Sequence, residues 1–159
     1  MKAELRKEHD WLHKLVGEWT TEFEAPGTDA QPPTVLKGTE SVRSMQHAWV
    51  VGHGRGPMPD GSDSESMITL GFDPDRERFV GTWVGTMMNH MWIYDGELDS
   101  SGRVLTLSSE GPSMDGQKHI LRYQDVIEFV TDDHRTLTGR VQNADGQWHD
   151  MMVVNYRRR

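Results

Sequence analysis

The chain contains no cysteine, which excludes a disulfide framework and thiolate chemistry, whether metal-binding or redox. It has no apolar run approaching the roughly 18 residues that would cross a bilayer as a helix. Its opening, MKAELRKEHDWLHKLVG, lacks the apolar segment of a secretory signal. The expectation is a soluble, cytoplasmic protein with no membrane partner. Positive charge is also scarce: 17 Lys and Arg stand against 25 Asp and Glu, a net charge of −8. A surface of that sign repels phosphates, so nucleic acid is an unsuitable partner. The one basic run, Arg157-Arg158-Arg159, reads by itself as a solubilising tail. Only 35% of the residues are hydrophobic, yet these include six tryptophans, and ten are methionines. Large aromatic and flexible side chains must therefore fill much of the interior.

No break in composition divides the chain, and its length fits one domain spanning residues 1–159. Residues Glu4 to Val16 carry Leu5, His9, Leu12 and Val16 near helical spacing, with Trp11 and Leu15 alongside. This predicts a short helix ended by Gly17. From Trp19 onward the period changes to two. Alternating runs cover approximately 18–25, 34–45, 48–54, 65–72, 78–86, 90–97, 103–109, 118–130, 135–142 and 147–157.

Turn-forming residues separate these runs. FEAPGTDAQPP and GRGPMPDGSDS are the longer loops, and Gly52-His53-Gly54-Arg55-Gly56 reads as a flexible rim leading into the second. Asp73-Pro74-Asp75, Asp99-Ser100-Ser101-Gly102, Thr131-Asp132-Asp133 and Asn143-Ala144-Asp145-Gly146 suit tight connections. About ten strands joined mostly by hairpins make an all-β, antiparallel up-and-down meander. Closure into a barrel removes its two exposed edges, and a two-sheet sandwich is the alternative. In 78–86, Phe79, Gly81, Trp83 and Gly85 share one face, as expected of a curved inner surface.

Gly17-Glu18-Trp19, after a short helix and at the start of the first strand, resembles the G-x-W signature of calycins. In such barrels the tryptophan plugs one end and a basic residue of the last strand lies across its ring. Arg157 and Arg158 in Asn155-Tyr156-Arg157-Arg158 are the candidates here. HDWLHKLVGEWTTEFE, ITLGFDPDRERFVGTWVGTM, HMWIYDGELDSSGRVLTLSSEGPSM and VVNYRRR together resemble domain-of-unknown-function family 1579, a group of uncharacterised bacterial proteins. That resemblance covers nearly the whole chain and implies a calycin-like barrel, with no assigned reaction. Haem-binding nitrobindins share the helix-then-G-x-W opening. The glycine-rich run that follows their tryptophan is missing, so no haem or other cofactor is expected.

Parity places His90, Trp92 and Tyr94 on one strand face. Hairpin pairing should bring that face beside Trp83, and Tyr123 lies on an otherwise apolar face. Trp83, His90, Trp92 and Tyr123 are the candidate ligand-binding residues. Asp125, the only charge on its face, should be paired or near water; a salt bridge with Arg140 on the next strand is one reading and an acid that contacts the substrate is the other. His9 and His13 lack further metal ligands nearby and read as ordinary helix residues, so no metal is expected. His149 reads as a surface or core residue rather than a haem ligand. No nucleophile elbow or phosphate-cradling loop is present.

Three functions fit this pattern. The first is a barrel that binds a small apolar or aromatic molecule. The second is an enzyme using the same cavity, with His90 as acid or base. The third is a solidly packed barrel acting through its surface on a partner, including a second copy of itself.

Overall fold

The computed structural model describes residues 1–159 as a closed barrel of ten antiparallel strands with one short helix. The elements are α1 (Lys7–His13), β1 (Gly17–Ala25), β2 (Thr34–Met45), β3 (Trp49–Pro57), β4 (Asp63–Asp73) and β5 (Arg78–Gly85). They continue as β6 (Trp92–Leu98), β7 (Val104–Pro112), β8 (Ile120–Thr131), β9 (His134–Gln142) and β10 (Trp148–Arg158). Each strand pairs with its neighbours in sequence, and β10 closes onto β1 with Trp19 opposite Arg158. Closure leaves no free strand edge. The sandwich alternative is thereby excluded.

Because the topology alternates up and down, the connections fall at two ends. One end holds α1 and the turns β2–β3, β4–β5, β6–β7 and β8–β9. The other is ringed by the five remaining connections. The α1 end is packed solid. Trp11, Leu12, Leu15 and Trp19 join Leu70, Phe79, Leu105, Leu107, Ile127 and Phe129 in one buried cluster. The Trp11 ring meets Phe79 and Phe129 edge-on, at centroid separations of 5.9 and 5.6 Å. Its indole N–H donates to the Gly102 carbonyl at 2.7 Å, which ties α1 to the β6–β7 turn.

The helix and β3 depart from the sequence-based boundaries, and β6 opens at Trp92 rather than at residue 90. The helix covers Lys7–His13 rather than Glu4–Val16. His9 is buried and accepts the Arg6 backbone N–H at 2.9 Å, which closes the first turn and leaves Leu5 exposed outside it. The glycine-rich segment after Val51 is not a flexible rim. It belongs to β3, which continues to Pro57 and leaves only residues 58–62 as a connection. A Cβ at Gly52 would lie 2.8 Å from Ile68 Cγ2, so the inner face of this strand has no room for a side chain there.

Candidate functional site

The Trp19 indole is completely buried, and its N–H donates to the Leu15 carbonyl at 2.8 Å. The Arg158 guanidinium lies over the ring, with its carbon 4.2 Å from the centroid. It also donates to the carbonyls of Val16, Lys14 and Asp132 at 2.8, 3.0 and 3.2 Å. Arg157 is exposed, because adjacent residues of a strand face opposite ways. Gly17 has φ +138°, and a Cβ there would stand 2.5 Å from Arg158 Nη1. The glycine of the G-x-W motif thus makes room for the cation that covers its tryptophan.

A second cation, which the sequence-based reading did not single out, lies deeper. Arg135 is buried, with its guanidinium carbon 4.7 Å from the Trp19 centroid and 3.8 Å from that of Tyr156. It donates to Glu40 across the barrel interior, and its Nε has no partner. Nothing in the local pattern of β2 or β9 reveals this pair. It forms because parity turns both side chains inward from strands distant in sequence.

Beyond this polar layer the barrel is hollow. A cavity of about 390 Å³ is lined by Phe23, Leu36, Trp83, Trp92, Tyr123, Leu137 and Val154, with Glu40, Asp125 and Tyr156 among its polar groups. Six of the ten methionines line it as well: Met58, Met87, Met88, Met114, Met151 and Met152. Glycines widen the space, since Gly38, Gly54, Gly56 and Gly139 all face it. Along β8 the inward residues run Leu121, Tyr123, Asp125, Ile127 and Phe129 from the open end to the packed one. Asp125 is therefore the last cavity residue of that strand before the solid core.

Asp125 pairs with Tyr94, whose hydroxyl donates to Oδ2. Arg140 is not its partner. The register sets Gly139 opposite Asp125, and Arg140, one residue on, faces outward to Asp150 at 2.9 Å. Burial raises the Asp125 carboxyl above its usual range, and the Tyr94 hydrogen bond offsets part of that rise. The Tyr94 phenol is pushed well up by burial and by the adjoining carboxylate. Burial and the Glu40 charge push Tyr156 up as well.

Trp83, Trp92 and Tyr123 all line the cavity, whereas His90 does not. Trp92 meets Tyr123 edge-on at 4.8 Å, and its N–H donates to the Met88 sulfur at 3.0 Å. The Tyr123 hydroxyl donates to the Pro112 carbonyl at 2.7 Å. His90 belongs to the turn before β6, where strand parity no longer applies. Its ring packs on Trp92 from outside the cavity, with Nε2 3.2 Å from the Glu110 carbonyl oxygen. His149, on β10, is exposed.

A ten-strand barrel packed at its helical end, hollow at the other and sealed by a G-x-W tryptophan under an arginine is a calycin-like barrel. The chain belongs to the family of proteins of unknown function DUF1579, whose model matches residues 4–158. No curated protein matches the sequence. Among solved structures it is similar to the S-type phycobiliprotein lyase CPES from Guillardia theta, at 12% identity and a TM-score of 0.61. That match covers 99% of this chain and 98% of the lyase. A redesigned β-barrel is also similar, at 9% identity over 99% of each chain, with a TM-score of 0.46. At this identity the likeness to the lyase concerns the fold. No helix is long and apolar enough to cross a membrane.

Proposed function

We propose that the protein is a binding module that takes a small, largely apolar or aromatic molecule into the open half of its barrel. The observation that carries this reading is the cavity itself: about 390 Å³, walled largely by aromatic, aliphatic and methionine side chains, with polar groups interspersed and Glu40, Asp125 and Tyr156 toward its closed end. Small-molecule pockets typically enclose about 300–1,000 Å³ and combine apolar walls with a few orienting polar groups. The methionines around the cavity suit such a role, because unbranched thioether side chains adapt to ligands of different outline.

The two other readings fit the geometry less well. His90, the acid or base of the enzymatic one, lies outside the cavity and faces a backbone carbonyl. A barrel acting only through its surface would not need the hollow. A histidine-held haem finds no axial ligand here, since none of the eight histidines lines the cavity. The test is titration with small aromatic and aliphatic compounds, and with haem, while following tryptophan fluorescence. Saturable quenching that weakens in Trp83→Ala and Trp92→Ala is the expected result. No saturable response from the wild-type protein across the series would overturn the binding reading.

A further inference from the structure

The cavity has an electrostatic asymmetry at its deep end. Asp125 Oδ2 accepts the Tyr94 hydroxyl, but no donor of the chain reaches Oδ1. Gly139, directly opposite on β9, leaves the space beside that oxygen open; a Cβ there would lie 3.6 Å from it. Glu40 also lines the cavity but is already paired with Arg135, which does not line it. The two cations among the lining residues, Lys37 and Arg55, have side chains 74% and 68% exposed and pair with Glu22 and Glu65. The inner cavity therefore presents one carboxylate with a free oxygen and no counter-charge. A carboxylate withdrawn from water is costly unless a cation or further hydrogen bonds compensate it. The walls add Trp83, Trp92 and Tyr123, whose ring faces attract cations.

Building on the pocket reading above, we propose that the ligand is a protonated amine on an apolar or aromatic body, its ammonium group seated on Asp125 Oδ1. The body would occupy the aromatic and methionine-lined part of the cavity, and the head would reach the polar end. Tyr94 on β6 is the side chain that acts on Asp125, through its hydrogen bond. The Asp125 charge in turn acts on Tyr156 of β10, which also feels the Glu40–Arg135 pair of β2 and β9. On β7, Leu107 is its uncharged register partner.

The test compares 4-phenylbutylamine, 4-phenylbutanol and 4-phenylbutyrate, which share a body and differ in the head group. Binding is followed by tryptophan fluorescence in the full-length protein. The amine should bind about tenfold or more tightly than the alcohol near pH 8, as a charge-assisted hydrogen bond outweighs a neutral one. The acid should bind most weakly. In Asp125→Asn the amine should fall to the affinity of the alcohol, with the alcohol itself little changed. The wild-type protein supplies a second readout that needs no variant. Lowering the pH until Asp125 protonates should erase the amine preference and leave alcohol binding unaltered.

Alcohol or acid binding as tightly as the amine would overturn the amine proposal while leaving the pocket intact. An amine preference that survives in folded Asp125→Asn would overturn the assignment to Asp125. Absence of saturable binding by all three would overturn the amine proposal, and the pocket reading falls with it only where the wider aromatic, aliphatic and haem series is silent as well.

Discussion

The Arg158 guanidinium covers the Trp19 indole at 4.2 Å, joining the last strand to the first at the packed end of the barrel. The same guanidinium holds three backbone carbonyls, so the contact is fixed on several sides. Replacing Arg158 with Met keeps an apolar stem but removes the charge and these donors. A loss of about 1–3 kcal/mol is expected in urea denaturation. Arg157→Met, on the outward face, should stay within about 0.5 kcal/mol of wild type. Trp19→Ala should cost about 3–5 kcal/mol, as other large-to-small changes at buried aromatic positions do.

Gly17 and Gly61 separate two reasons for a glycine. Both have positive φ, +138° and +83°, but only Gly17 has a neighbour within contact distance of a Cβ. Gly61→Ala meets backbone strain alone and should cost about 1 kcal/mol, whereas Gly17→Ala must also displace Arg158 and should cost about 3 kcal/mol. Thermal or urea unfolding of the two variants side by side is the measurement. Equal losses would mean that Arg158 moves aside freely.

How far the sequence was legible follows from the range of each signal. Alternation of side chains is local, so the ten strands and the inward placement of Trp83, Trp92 and Tyr123 could be read directly. The same rule failed at His90, because the chain leaves the sheet before Trp92 and parity has no meaning in a turn. It also failed for the glycines of β3, where a run that looks like a loop is a strand thinned on its inner face. The pairs Glu40–Arg135 and Tyr94–Asp125 were not legible. Each joins strands that are not hydrogen-bonded neighbours, so their meeting depends on barrel closure and register rather than on any motif.

The Glu40–Arg135 pair should behave as a buried ion pair does. Glu40→Gln leaves the Arg135 charge in the interior without its carboxylate, and an expected loss of about 3–5 kcal/mol follows. The double variant Glu40→Leu with Arg135→Met removes both charges and should be more stable than either single change. A double-mutant cycle in urea measures this directly. Additive losses would show that the two side chains act independently.

Asp125 gives stability a specific pH dependence. Its carboxyl is raised in the folded protein above the ordinary value of 3.8, so within that interval the native state holds a proton that the unfolded chain has lost. Stability from this group is therefore full below the ordinary value and declines as pH rises toward the folded-state value. Exposed carboxylates with lowered values, such as Glu65 and Asp99, act in the opposite direction. The comparison that isolates Asp125 is the difference between wild type and Asp125→Asn across acidic to neutral pH. Asp125→Asn should gain relative to wild type as pH rises through the window. A flat difference would place the carboxyl in a more solvated setting than its burial implies.

Gly139→Val tests access to Asp125 without altering the carboxylate. A Cβ at this position would stand 3.1 Å from Met152 Cγ and 3.6 Å from Asp125 Oδ1, and the two methyl groups of valine add further bulk on the cavity side. The methionine side chain can move, so the fold should tolerate the change with a stability shift of about 1–3 kcal/mol at most, typical of adding bulk to a packed interior. The space beside Oδ1 should be lost, which predicts a fall of about tenfold or more in binding of 4-phenylbutylamine, the loss of one charge-assisted hydrogen bond. 4-Phenylbutanol, which has no charge to place there, should lose less. Fluorescence titration of both ligands against wild type and the folded variant gives the answer. If both lose affinity equally, Gly139 sets only the volume of the cavity; if neither changes, the ligand does not reach its closed end.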